Sequence, residues 1–94
     1  MTKAELVSEI SRRTGLEKKM VFDVVEAGME VVMDTLATGE SVYLRGFGSF
    51  NVKQRAAKTA RNIAKQTTIQ IPARRIPAFK PSKAFAVRVD EKNS

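Results

Sequence analysis

The 94-residue sequence contains no cysteine, no histidine and no tryptophan. The lack of cysteine excludes a disulfide, a thiolate-bound metal and a cysteine nucleophile. The lack of histidine excludes a histidine-based catalytic triad and an imidazole metal ligand. No apolar stretch approaches the roughly 20 residues that span a bilayer, and no apolar signal segment follows the N-terminus. We therefore expect a soluble intracellular protein that is not an enzyme and uses no metal or cofactor.

The most informative absence is that of acidic residues between positions 41 and 89. This stretch carries eleven lysines and arginines and no carboxylate, whereas residues 1–40 carry five bases and eight acids. A run of 49 residues without an acid is too long for an ordinary solvated face. Its electrostatic field favours a polyanion, with nucleic acid as the first choice and an anionic membrane as the second.

Two helices are predicted in the acidic half. Thr2 and Glu5 form a capping-box pattern, so a first helix is expected over Lys3–Thr14. A second helix begins near Glu17 or Lys18, ends before Gly39 and carries two apolar stripes, more than one short neighbour can cover. Either a sheet of the same chain or a second subunit would cover the second stripe, and we favour the second subunit.

From position 41 the apolar residues alternate with polar ones, a period typical of strands. Two such runs flank Gly46-Phe47-Gly48 and predict a hairpin with one apolar face. Residues 53–75 hold seven bases and few core-forming side chains. They are predicted to form a second, protruding hairpin with its tip near residues 62–66.

The last part of the chain is predicted to return to the body. Pro77, Phe79 and Pro81 lead into a short helix from Lys83 to about Val89, and the final residues are expected to fray. Without the arm, 71 residues remain for a core, a size at which a domain is marginal alone. This estimate independently favours a dimer.

Two groups of residues invite a chemical interpretation. One helix face carries four carboxylates, which are the oxygen ligands that a hard cation needs: Asp23, Glu26, Glu30 and Asp34. The favoured alternative is a solvated helix face on which Lys19 pairs with Asp23. The turn Gly46-Phe47-Gly48 lacks the Lys and Ser or Thr of a nucleotide-binding loop. It is mainly a tight turn, although its N–H groups beside Arg45 have the chemistry to hold one DNA phosphate.

Ile63 is the most distinctive residue of the predicted arm tip. It is an apolar residue among charges, and apolar side chains can insert between base steps and kink DNA. The alternative is that Ile63 pairs across the hairpin with Thr67 or Ile69. The residues alone do not decide between these two interpretations.

Several motifs together resemble the HU/IHF family of bacterial histone-like, DNA-bending proteins, over residues 1–89. These motifs are Thr14-Gly15-Leu16-Glu17-Lys18-Lys19, Gly46-Phe47-Gly48-Ser49-Phe50, Arg61-Asn62, Ile69-Gln70-Ile71-Pro72-Ala73 and Pro77-Ala78-Phe79-Lys80-Pro81-Ser82-Lys83. The resemblance implies an α+β fold with a two-helix base, a three-stranded antiparallel saddle sheet, a protruding β-ribbon arm and a short C-terminal helix, in an intertwined dimer. It also implies that two arms embrace the minor groove.

The resemblance divides the single domain, residues 1–94, into a helical dimerisation base (1–39), a body (41–52 and 76–89) and a DNA-binding arm (53–75). Together with the basic charge, it predicts these DNA-binding residues: Lys3, Arg45, Gly46, Gly48, Lys53, Arg55, Lys58, Arg61, Asn62, Ile63, Lys65, Arg74, Arg75, Lys80 and Lys83. The apolar stripes and core aromatics predict a dimer interface of Phe22, Met29, Val32, Met33, Leu36, Phe47, Phe50 and Phe79.

The sequence departs from the family pattern at the arm tip. Ile63 stands where the family has an intercalating proline, and Ile lacks the preset backbone of Pro. Lys65-Gln66 replaces the usual Thr-Gly, Glu17 stands where a Ser cap is common, and Ser82 replaces a common Gly. These changes concern how sharply the protein kinks DNA rather than whether it binds.

The sequence therefore predicts a homodimeric architectural protein of the bacterial nucleoid, in the cytoplasm, that binds and bends duplex DNA with weak sequence preference. A heterodimer with a paralogue and a site-specific factor of the IHF type remain open. The rival of another class is a small basic RNA-binding or ribosomal protein. A third alternative is a regulatory factor that recruits partners through the acidic helix face.

Overall fold

The structure, a computed structural model, describes the backbone of residues 1–62 and 67–93 and the side chains of residues 1–59 and 71–91. The chain divides into two compact units, Met1–Thr35 and Leu36–Ser94. No helix in the described parts of the chain is long and apolar enough to cross a membrane.

Helices α1 (Lys3–Thr14) and α2 (Lys18–Ala37) have the predicted bounds. The Thr2 hydroxyl oxygen accepts a hydrogen bond from the Glu5 N–H at 3.3 Å, so Thr2 caps α1 as expected. Gly15 ends α1 in the left-handed region, at φ 75°, and donates its N–H to the Ser11 carbonyl at 2.8 Å. These local signals explain why the boundaries were predictable.

Within the first unit, Val7 of α1 and Val21 of α2 are the buried hydrophobic residues. The unit also contains ion pairs whose side chains are largely exposed. Glu9 accepts hydrogen bonds from Arg12 and Arg13, and the hydrogen bond from Arg12, followed by that from Arg13, lowers the pKa of Glu9 to about 2. The predicted Lys19–Asp23 pair is confirmed at 2.8 Å.

The second unit contains a three-stranded antiparallel sheet in the order β1 (Val42–Leu44), β2 (Gly48–Arg55) and β5 (Arg74–Pro81). β1 and β2 form the predicted hairpin. The register of β2 and β5 runs without interruption from Gly48 opposite Pro81 to Arg55 opposite Arg74.

A separate two-stranded ribbon, β3 (Lys58–Asn62) and β4 (Thr67–Ile71), follows the body sheet. Two dipeptides separate the ribbon from the body sheet. Ala56-Ala57 lies between β2 and β3, and Pro72-Ala73 lies between β4 and β5. Pro72 has no N–H to donate to a ladder, which is consistent with a break here. The predicted arm is thus a ribbon of two short strands, and 53–55 and 74–75 belong to the body sheet.

Helix α3 (Lys83–Asn93) closes the chain. Ser82 caps it as expected, because its hydroxyl oxygen accepts the Phe85 N–H at 3.1 Å. The helix continues past the predicted end at Val89, since no Gly or Pro stops it there. The expectation that all residues after Val89 are frayed is therefore wrong for the backbone up to Asn93.

A cluster of phenylalanines lies on one face of the body sheet. The ring centroids of Phe47 and Phe79 are 5.2 Å apart, those of Phe50 and Phe79 4.9 Å, and those of Phe47 and Phe85 5.3 Å. Yet Phe47 remains 45% and Phe79 39% exposed in the single chain. A folded protein seldom leaves such an aromatic cluster half open to water.

Apolar side chains of α2 are similarly uncovered in the single chain. Met29 is 41%, Met33 62% and Phe22 40% exposed. Leu36 differs from the other predicted interface residues, because it is already buried within the chain. A second subunit would cover the exposed residues, which agrees with the predicted dimer.

Candidate nucleic-acid interface

The uninterrupted register of β2 and β5 assigns their side chains to two faces of the sheet. Directly opposed residues share a face, and successive pairs alternate between faces. One face, which we call the aromatic face, carries Phe50 with Phe79, Val52 with Pro77 and Gln54 with Arg75. The other, which we call the basic face, carries Ser49 with Lys80, Asn51 with Ala78, Lys53 with Ile76 and Arg55 with Arg74.

The basic face brings together four of the predicted DNA-binding residues: Lys53, Arg55, Arg74 and Lys80. All four are exposed. No carboxylate lies on β2 or β5 to neutralise them. A surface of this kind attracts phosphates through charge and the release of counterions.

Arg75 lies apart from this group. The sequence grouped it with Arg74, but the register places the two arginines on opposite faces. The Nη1 atom of Arg75 lies 3.4 Å from the position that a Cβ on Gly39 would take, so the side chain reaches toward the end of α2. The structure therefore assigns Arg74, and not Arg75, to the basic face.

The β1–β2 turn forms the wall of a groove at the end of the sheet. Arg45 and Lys80 line this groove together with Ser82, the cap of α3. Gly46 has φ 80°, a conformation that favours glycine. It is open on the Cβ side, since no atom lies within 4 Å of a Cβ placed there.

Gly48 has a packing role rather than a contact role. A Cβ at this position would lie 2.5 Å from the Lys80 carbonyl oxygen and 2.7 Å from the Phe79 ring. Any side chain would therefore separate β2 from β5. The predicted phosphate contact of this turn rests on Gly46 and Arg45 more than on Gly48.

The ribbon carries two further predicted basic contacts, Lys58 and Arg61. Lys58 is the first residue of β3. A hollow between the body sheet and the ribbon is lined by three basic residues, Arg55, Lys58 and Arg74, and by apolar residues such as Ile71 and Ile76. In the backbone register Arg61 pairs with Thr68 and Asn62 with Thr67. Ile63 and Lys65 lie outside the described residues, so their predicted roles stay predictions.

Two predicted contacts lie on helices. Lys83 is the first residue of α3 and is exposed. Lys3 forms an ion pair with Glu26, and its ammonium group lies 5.2 Å from the centroid of the Phe22 ring. Lys3 is therefore already engaged in the free chain, which the sequence did not anticipate.

The acidic residues of α2 do not form a metal centre. Asp23 forms an ion pair with Lys19, and Glu26 forms one with Lys3. Across the residues with described side chains, no group of three or more acidic residues is placed to hold a metal ion.

Sequence reasoning missed the polar residues that share the basic face. The Asn51 amide donates to the Ser49 hydroxyl at 2.9 Å, and Tyr43, directly opposite Ser49, is 77% exposed. The alternation of residues 42–45 already placed Tyr43 on the polar side of its strand. Nothing in the sequence showed how exposed it is.

The antiparallel sheet has one basic and one aromatic face, the ribbon is basic, and the helical unit exposes apolar side chains. Together these features define a DNA-binding protein of the histone-like class. The family model of bacterial DNA-binding proteins matches residues 1–90. HU of Thermus thermophilus is 44% identical over 89 residues, covering 95% of this chain and 92% of that protein. HU of Thermotoga maritima is 39% identical over 89 residues, covering 95% and 99%.

Solved structures agree with the sequence comparison. HU from Anabaena, in a co-crystal with DNA, matches with a TM-score of 0.89 at 36% identity over 95% of this chain and 97% of that one. An HU variant of Thermotoga maritima matches with a TM-score of 0.71 at 29% identity over 95% and 99%. The chain belongs to the HU family of bacterial DNA-binding proteins. It is an architectural protein and not an enzyme, and its α+β fold and dimeric form are those of the family.

Proposed function

We propose that the dimer binds duplex DNA with its basic faces and ribbons, enters the minor groove and bends the duplex with weak sequence preference. The observation that carries this proposal is the basic face itself, where Lys53, Arg55, Arg74 and Lys80 lie together on two paired strands. The HU–DNA co-crystal supports it, because a protein with nearly the same fold is seen with DNA.

The chemistry of the basic face supports weak sequence preference. Lysine and arginine on a flat sheet contact phosphates, which position a protein but carry no direct sequence information. Among the predicted contacts that the structure describes, only Lys3 and Lys83 lie on helices, each as the first residue. The others lie on strands or in a turn and not on a helix that could read base edges in the major groove. Preference would therefore arise from the shape and deformability of the DNA.

The bend is proposed to depend on the arm tip. An apolar wedge at Ile63 would unstack a base step, and the basic ribbon strands leading to it would hold the flanking phosphates. Arg61, Asn62 and Lys65 flank this position in the sequence. The bent duplex would then lie against more of the basic surface.

A protein with this activity would act on the bacterial chromosome. Weak sequence preference suits the compaction and organisation of DNA rather than the recognition of one site. We therefore place the protein at the nucleoid, in the cytoplasm, as a homodimer or as a heterodimer with a paralogue.

Fluorescence transfer between labels at the two ends of a random-sequence duplex tests the proposal. Transfer should rise on addition of protein, because bending brings the ends together. A variant with Arg55→Ala and Arg74→Ala should need more protein to reach the same transfer. The matched control, Arg12→Ala with Arg13→Ala, removes the same charge from α1 and should behave nearly as the wild type. Binding without any rise in transfer would contradict the bending proposal.

A further inference from the structure

Tyr43 is an aromatic residue that the fold does not use. It is the single tyrosine of a chain without tryptophan. Its side chain is 77% exposed, more than any of the five phenylalanines, which contribute to the aromatic cluster or to the helical unit. In the described part of the chain no hydrogen bond engages its hydroxyl group. Tyrosine is enriched at interfaces, because its ring is apolar and its hydroxyl group can form a hydrogen bond.

The surroundings of Tyr43 indicate what that surface contacts. Tyr43 lies opposite Ser49, and Ser49 lies opposite Lys80, so the three residues form a row across all three strands on the basic face. Tyr43 also lines the groove of about 440 Å³ that contains Arg45 and Lys80. Neither the row nor the groove lining includes a carboxylate.

We propose that Tyr43 is a contact to the sugar–phosphate backbone of duplex DNA at the outer edge of the sheet. Its ring would lie against a deoxyribose, and its hydroxyl group would donate to a phosphate oxygen that Arg45 and Lys80 hold by charge. The proposal rests on the proposed function and extends the interface from Lys80 to the edge strand β1. A partner without negative charge would leave the two cations of this groove uncompensated.

The nature of the contact gives it a distinctive signature. Tyrosine is a neutral hydrogen-bond donor and binds a phosphate without releasing a counterion. Its loss should lower the affinity for DNA and leave the salt dependence unchanged. The loss of Arg45 should lower the affinity and also reduce the salt slope by about one unit.

Intrinsic fluorescence tests the proposal on the unmodified protein. Because Tyr43 is the only tyrosine and tryptophan is absent, the tyrosine emission reports this side chain alone. Titration with a random-sequence duplex should change the emission with the same midpoint as binding measured by the anisotropy of labelled DNA. Free N-acetyltyrosinamide in the same titration corrects for light absorbed by the DNA.

Two substitutions test how much Tyr43 contributes to the affinity for DNA. Tyr43→Phe removes only the hydroxyl group and should weaken binding roughly threefold to tenfold. Tyr43→Ala should weaken it further, with an unchanged salt slope in both cases. Val87→Ala, which truncates an exposed apolar side chain of α3, is the matched control and should bind as the wild type does. Melting temperatures show whether Tyr43→Ala still folds. If it does not, the affinity of Tyr43→Phe and the tyrosine emission of the wild type test the contact without it.

The outcomes separate this inference from the proposed function. If the wild type binds duplex and Arg55→Ala weakens binding, while the emission stays constant and Tyr43→Phe binds normally, the Tyr43 contact is refuted and the proposed function stands. If the wild type does not bind duplex at all, both are overturned. A changed emission with weakened Tyr43→Phe supports both.

Discussion

Arg55 lies directly opposite Arg74 in the antiparallel register of β2 and β5, on the basic face. Both side chains are exposed. Like charges directly opposite each other destabilise a strand pair. A phosphate placed between the two guanidinium groups would replace this repulsion with attraction. We therefore expect the end of the body sheet to be less stable in the free protein than in the DNA complex.

Arg74→Thr should make the free protein more stable and its DNA binding weaker. Threonine has a high strand propensity, and the removal of the repulsion contributes about 0.2–1 kcal/mol to the free energy of unfolding. Thermal unfolding with and without duplex measures both effects. Arg75→Thr, opposite Gln54 on the aromatic face, is the control and should give no such gain. A lower melting temperature for free Arg74→Thr would contradict this account of the pair.

Arg55→Ala and Arg61→Ala should each weaken DNA binding and flatten its salt dependence. Each lost phosphate contact reduces the slope of log affinity against log salt by roughly one unit. Affinities measured at several salt concentrations give this slope. Arg13→Ala carries the same charge change on α1 and should leave the slope nearly unchanged. An unchanged salt slope for both Arg55→Ala and Arg61→Ala would show that these two residues do not contact phosphates.

Glu26→Gln should strengthen DNA binding if Lys3 contacts the flanking duplex. The ion pair with Glu26 competes with a phosphate for the Lys3 ammonium group, and the glutamine removes that competitor. Glu30→Gln removes the same charge from the same helix without freeing Lys3. The affinity of Glu26→Gln should therefore exceed that of Glu30→Gln. Equal affinities for the two variants would show that Lys3 is not part of the interface.

Ile63→Ala should reduce bending more than affinity. The wedge contributes to the unstacking of a base step, whereas the phosphate contacts of the ribbon remain. Fluorescence transfer at saturating protein measures the bend, and anisotropy measures the affinity. Bending equal to that of the wild type would favour the alternative interpretation, in which Ile63 pairs across the hairpin. Ile63→Pro, which restores the family residue, should bend DNA at least as strongly as the wild type.

The local parts of the fold were predictable from the sequence. Thr2 and Gly15 mark the ends of α1 by their own hydrogen bonds and backbone angles, so the predicted and observed bounds coincide. The hairpin around Gly46 was equally visible, because alternation and turn residues act over a few positions. The two apolar stripes of α2 and the small core already favoured a dimer, and the family motifs implied the same.

The parts that the sequence did not reveal depend on pairing between distant residues. Whether Arg74 or Arg75 shares a face with Arg55 of β2 is decided by strand register, and a shift of one residue would reverse it. The pairing of Lys3 with Glu26 joins residues 23 positions apart. The packing role of Gly48 becomes visible only when Lys80 and Phe79 of β5 lie beside it.

The central claim is that this chain is an architectural protein that binds DNA through charge and deformation of the duplex. The most direct measurement compares its affinity for random-sequence DNA, nicked or mismatched DNA and RNA duplexes at one fixed salt concentration. The account predicts tightest binding to the nicked or mismatched duplex, which bends at lower cost, then to random DNA, with RNA weakest. Equal or tighter binding to RNA would contradict it.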